Sequence, residues 1–135
     1  MRRHVYLVFI LAVSSVAALP RSVWDGVYTK EQAQRGQTVY GRDCAKCHSD
    51  NLGGGESGPG LVGSEFLNHW YGKTAGALYE SIRKTMPTDD PGNLSTREYA
   101  DLVAYLLGAN DFPPGSQELD RDVTALNEIR IEPKK

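Results

Sequence analysis

Cys44, Cys47 and His48 stand together in the stretch GRDCAKCHSD, residues 41–50, and no other cysteine occurs in the chain. A Cys44–Cys47 disulfide would close a very small loop and stabilise little. A redox dithiol places its C-x-x-C near a βαβ unit, and the sequence shows no such unit. Structural zinc takes four protein ligands from Cys and His. Past the N-terminal leader, only His48 and His69 could complete that set, and His48 directly after Cys47 is awkward for one tetrahedral ion. The remaining chemistry is covalent haem attachment, for which C-x-x-C-H is the signature. Two cysteines three residues apart on a helical turn can form thioethers to the two vinyl groups on one edge of a porphyrin. The next imidazole then lies under the iron. The expected cofactor is one haem c per chain, held by Cys44 and Cys47, with His48 as proximal metal ligand.

The second axial position can be argued by elimination. Met1 lies in the leader, so Met86 is the one thioether left to the domain. It stands in RKTMPTDDPG, a proline-flanked loop that could present a side chain without a helix. Methionine ordinarily fills gaps in cores, but beside an unfilled coordination position Met86 is the expected distal ligand. His69 is the competing ligand and would give bis-histidine ligation; otherwise it is a surface or propionate-side residue. Two look-alikes of phosphate loops carry no such function. YGKT at 71–74 has Leu67 where a Walker loop needs glycine, and no strand precedes it. GGGESGPG leads into no helix and reads as a loop packed close to a flat ligand.

The elements that must position these residues are helical. Thr29 to Gln32 has the capping-box form, in which Thr29 accepts from the fourth backbone N–H and Gln32 reaches back. The helix it opens puts Ala33, Gly36 and Tyr40 on one face. Ser64 is placed to cap a short piece holding Phe66, Leu67 and Trp70. Thr74 starts another, where Ala75, Leu78, Tyr79 and Ile82 repeat at helical spacing. A second capping box, Ser95 to Glu98, opens the strongest helix. Its apolar stripe is Tyr99, Leu102, Val103 and Leu106, and Gly108 with Pro113 and Pro114 is expected to end it. Gly- and Pro-rich loops run from Leu52 to Gly60 and from Pro87 to Asn93. No run alternates long enough to make a convincing strand. The expected class is all-α, with three to five short helices and long loops; short helices bury little alone, so something should sit among them.

The 135 residues bound one small domain. Residues 1–18 have the parts of a secretory signal: Arg2, Arg3 and His4, an apolar run from Val5, then small residues with Ala17 and Ala18 at the exit. The alternative is an uncleaved anchor, although Val5 to Leu19 is short of the roughly 20 residues a spanning helix needs. Either way the domain, residues 19–135, is expected outside the cytoplasm, with membrane contact only if the signal is uncleaved. Loss of Arg2 and Arg3 would take the formal charge from −2 to about −4. Lysines and arginines are dispersed, so no nucleic-acid partner is expected.

These residues together resemble the class I cytochromes c. Gly36 and Tyr40 precede Cys44 as that family's small residue and aromatic do on the first helix. Leu102 and Tyr105 stand in the pattern of the last helix, which crosses it. The resemblance implies the cytochrome c fold around one covalently bound haem. It implies that the Pro59 carbonyl accepts the Nδ1–H of His48, that Leu61 packs on that side, and that Met86 followed by Pro87 is the distal loop. Trp70 resembles the family's propionate-binding tryptophan. The resemblance covers about Thr29 to Phe112. The flanks, VWDGVYTKEQAQRG and the polar tail of about 113–135, look most like single-haem cytochromes associated with periplasmic quinoprotein dehydrogenases. The tail would wrap the surface through Leu119, Val123, Leu126 and Ile129, or contact a partner.

The function this implies is a periplasmic single-electron carrier rather than an enzyme. A dehydrogenase is the implied donor, and an oxidase or another cytochrome the implied acceptor. The alternative is a haem enzyme or gas-binding sensor with a labile distal ligand.

Overall fold

A computed structural model describes residues 21–135. The expected signal and its anchor alternative lie outside the described residues. Among the described residues no helix is long and apolar enough to cross a membrane.

Among the described residues the chain is all-α apart from one two-residue strand pair. Strand β1 (Arg21–Ser22) is followed by a 3-10 turn (Val23–Asp25), then α1 (Lys30–Asp43), α2 (Ala45–His48), α3 (Ser64–Trp70), α4 (Ala75–Thr85), α5 (Thr96–Ala109), α6 (Val123–Asn127) and β2 (Ile129–Arg130). The six helical segments among the described residues exceed the three to five expected because α2 and α6 are single turns. Strands this short carry no alternation, so β1 and β2 left no pattern to read; they pair in parallel, Arg21 with Ile129 and Ser22 with Arg130.

The most extensive helix contact is α1 on α5. Gly36 makes that approach: a Cβ there would run into the Asp101 carbonyl and come 2.8 Å from the Tyr105 Cβ. The crossing is clamped by charge as well. Arg35 on α1 grips the buried Asp101 of α5 with two bonds of 3.0 Å, Nε to Oδ2 and Nη2 to Oδ1. Pairing is what allows a carboxylate to be buried there. Gly36→Leu is expected to force the helices apart at a cost of about 1–3 kcal/mol, toward the upper end because backbone is in the way. Denaturant unfolding of the haem-loaded protein reads this, and wild-type stability would mean the crossing does not bear on that position.

Three local expectations are corrected. Thr29 does cap α1, accepting from the Gln32 N–H (3.1 Å). Gln32 does not reach back: it is 1% exposed, and its amide donates to the Leu119 carbonyl (3.0 Å) and accepts from the Leu119 N–H (2.6 Å). A buried side-chain amide here matches both backbone groups of a buried partner, which the single capping bond would not do. Ser64 is the first helical residue rather than the cap of α3, because Gly63 takes the cap position at φ 85. Gly108 does not stop α5, which runs on to Ala109; it lies against the Tyr28 hydroxyl, where a Cβ would come within 3.0 Å. The Thr74 cap and the Ser95–Glu98 capping box form as read.

The tail is polar in composition but packs as a strap. Leu119, Leu126, Ile129 and Ile131 are buried, and α6 lies against α4. The strap is also laced to the front of the chain. The Trp24 indole N–H donates to the Glu132 carbonyl (2.8 Å), and the Gly115 N–H donates to the Tyr28 carbonyl (2.6 Å). Between α3 and α4 it exchanges two more bonds, Gly72 N–H to the Ile131 carbonyl and Ile131 N–H to the Lys73 carbonyl, both 2.9 Å. Wrapping is therefore the role these residues take in the fold.

Candidate functional site

The site begins where α1 ends. Cys44 sits between α1 and α2 at φ −120, its N–H donating to the Tyr40 carbonyl (2.9 Å). Its own carbonyl accepts from both the Cys47 and the His48 N–H groups, each at 3.1 Å. That single turn sets Cys44 and Cys47 three residues apart on one side, the spacing at which helical neighbours face the same way. Cys44 and Cys47 form no disulfide with each other. Burial, with a smaller contribution from Asp43, pushes the Cys44 thiol up to about 11.

His48 is buried, and the chain turns sharply after it, through positive φ at Ser49 (68) and Leu52 (59). The Tyr40 hydroxyl fixes this exit by donating to the Ser49 carbonyl (2.6 Å); burial pushes its ionisation up to about 12, which keeps it a donor. The glycine loop then folds back on the imidazole. Gly54 N–H donates to the His48 carbonyl (2.9 Å) and Gly55 N–H to the Gly58 carbonyl (2.8 Å). A Cβ on Gly58 would stand 3.1 Å from two atoms of the His48 ring, so this loop packs closely against the imidazole. The next residue, Pro59, brings its carbonyl to 2.8 Å from His48 Nδ1. A carbonyl can only accept, so Nδ1 carries the proton and Nε2 keeps its lone pair for a metal.

A pocket of about 390 Å³ opens beside this turn. Cys44, Cys47, His48, Pro59, Leu61 and Trp70 all line it, and so does Met86. Leu78, Leu102 and Leu106 give it an apolar interior. The structure thus brings the sequence-predicted site residues to one place. Met86 ends α4 as its cap residue, its N–H donating to the Ile82 carbonyl (2.8 Å). Leu61 is fixed by its N–H to the Leu52 carbonyl (2.7 Å). His69 also borders the pocket, but it is exposed, and its Nε2 lies 3.1 Å from the Lys73 ammonium. An ammonium can only donate, so that contact occupies the lone pair a metal would need.

The donor set suits haem c. Two thiols, a ring nitrogen with a free lone pair and a thioether line one largely apolar pocket, the company a flat hydrophobic macrocycle with an iron centre needs. The zinc alternative finds no support in the geometry: among the described residues no three His, Cys, Asp or Glu side chains gather as a metal site.

Two residues that bear on the pocket were not singled out from sequence. Asn110, just past α5, is buried; its amide donates to the Leu61 carbonyl (3.0 Å) and accepts from the Gly63 N–H (3.1 Å). It holds the wall after Pro59. Tyr99 donates its hydroxyl to the Met86 carbonyl (3.0 Å). Its presence in an otherwise aliphatic stripe was a usable signal, since a buried phenol needs a partner.

The sequence model of the family described as cytochrome c oxidase, cbb3-type, subunit III, matches residues 31–106. That span runs from the first turn of α1 into α5. None of the curated proteins compared matches this chain. Among solved structures, the fold is similar to a chain of the sulfane dehydrogenase SoxCD from Paracoccus pantotrophus, with a TM-score of 0.51 and 20% identity. The match covers 80% of this chain and 61% of that one, so this chain spans less than two thirds of its length.

Proposed function

Since the chain belongs to the c-type cytochrome family described as cytochrome c oxidase, cbb3-type, subunit III, we propose that it is a periplasmic single-electron carrier whose iron is ligated by His48 and Met86. It is a class I cytochrome c, a haem electron-transfer protein with covalently bound haem c. The haem, when bound, supplies one-electron exchange between ferrous and ferric iron. The observation that carries the finer reading is the pocket itself, which His48 and Met86 both line.

Each residue has a defined task in this reading. Cys44 and Cys47 anchor the group at one edge. Pro59 holds the Nδ1 proton of His48, fixing the ring and raising its basicity toward iron. Met86 would supply the second ligand from its thioether, which would favour the ferrous state. With His48 and Met86 both given to iron, the chain would leave no position for a substrate, and the protein would act as a carrier rather than an enzyme. Leu61 packs beside His48, and Trp70 serves the propionate side. Residues 1–18 export the chain, and the donor is a dehydrogenase, with an oxidase or second cytochrome as acceptor. The description of the structural neighbour as a dehydrogenase is in keeping with that donor.

Reductive titration and carbon monoxide test the carrier reading together. One electron per haem is expected, and the ferrous protein at neutral pH is expected to form no carbon monoxide adduct. Rapid formation of that adduct would overturn the carrier reading in favour of gas binding.

A further inference from the structure

The backbone of Met86 is held at both of its polar groups. Its N–H closes α4 by donating to Ile82, and its carbonyl accepts from the Tyr99 hydroxyl at 3.0 Å. Tyr99 is an unusually rigid donor. It lies in the first turn of α5, which the Ser95–Glu98 capping box locks, and it is 1% exposed. Its ring also packs edge-on against Tyr79 of α4, with centroids 6.3 Å apart at 79°. A phenol held between two helices in this way cannot swing to solvent for another partner. One further tie joins two residues that line the pocket, the Lys46–Asp89 ion pair at 2.6 Å. Both of its side chains are mostly exposed, so it contributes little.

We propose that Tyr99 is a positioning residue for the distal side of the haem: its hydroxyl holds the Met86 backbone, keeping the thioether in the pocket and external ligands out. This rests on the reading of Met86 as distal ligand. Removing the hydroxyl leaves the ring, its packing and the pocket lining in place. What changes is the balance between the loop closed over the pocket and the loop open. One hydrogen bond of ordinary strength shifts such a balance by roughly 2- to 12-fold. An external ligand binds only the open form, so its apparent affinity rises by the same factor.

The test is Tyr99→Phe in the haem-loaded protein, with the ferric form titrated with imidazole and followed by absorption. Imidazole is expected to bind roughly 2- to 12-fold more tightly than to wild type. Tyr28→Phe is the control, because it loses a comparable bond, from Tyr28 to the Phe112 carbonyl at 2.6 Å, outside the pocket lining. It is expected to lower the unfolding midpoint and leave imidazole affinity unchanged. Met86→Ala, titrated alongside, is expected to bind imidazole far more tightly than either. Wild-type affinity in Tyr99→Phe, with the large gain still present in Met86→Ala, overturns the role of Tyr99 alone. Equal gains in Tyr99→Phe and Tyr28→Phe would mean general loosening and overturn it too. Wild-type affinity in Met86→Ala overturns the ligand reading beneath it.

Discussion

A Cys44→Ser, Cys47→Ser double variant is expected to emerge colourless and largely unfolded. Thioethers survive denaturation, so wild-type protein should keep its haem through denaturing extraction, and serine can form no such bond. The effect on folding should be as large as the effect on colour. Without its group the pocket of about 390 Å³ is a hole lined by Leu78, Leu102 and Leu106. At about 24 cal/mol per Å³ of cavity this is about 9 kcal/mol, an upper bound because water can enter through the mouth. Whole domains are stable by only about 5–15 kcal/mol. Circular dichroism of the variant beside wild type reads the outcome, and a well-folded, colourless double variant would overturn the cytochrome reading of Cys44 and Cys47.

The second large effect is expected from Met86→Ala. A thioether on ferric iron gives a weak absorption band in the far red, and this variant should lose it. The open position should then take water or added ligand. The potential should fall by on the order of 0.1 V or more, a fraction of the roughly 0.8 V over which axial ligands set haem potentials. Slow peroxidase activity in the variant would follow from the opened position and would not report a native task. Met86→His should restore two strong axial ligands yet keep the potential low, because imidazole favours ferric iron more than a thioether does. His69→Ala should change neither band nor potential, given that His69 is exposed and its Nε2 faces Lys73 at 3.1 Å. If His69→Ala moves both and Met86→Ala moves neither, His69 is the ligand.

What was legible in the sequence was local. The capping box at Ser95 and Glu98, and the stripe Tyr99, Leu102, Val103 and Leu106, are written at helical spacing, and α5 follows them. Cys44, Cys47 and His48 fall within one turn, so their spacing alone conveyed their geometry. Pro59 was different: nothing in its neighbourhood announces a carbonyl aimed at His48, and only the family resemblance placed it. Gln32, Asn110 and Tyr99 were misread or passed over because their partners lie far along the chain, and side-chain to backbone bonds of that range leave no periodic trace. The tail was legible only as two alternatives, wrapping the surface or meeting a partner, for a related reason. Leu119, Leu126, Ile129 and Ile131 are too sparse to form a face, and their burial comes from contacts that other segments supply.

The parallel pairing of β1 with β2 bears on the order in which the molecule is completed. A strand at the front of the described chain can pair with one near its end only after almost everything between them has been made. Loop closure over such a span costs little more than over half of it, because the cost grows only as the logarithm of length. Timing rather than energy is what the topology imposes. Every residue that lines the pocket, from Tyr40 to Leu106, is synthesised before Leu119 to Ile131. The nascent chain therefore holds its thiols, imidazole and thioether while the back of α4 is still bare, and the strap that ties front to back arrives after them.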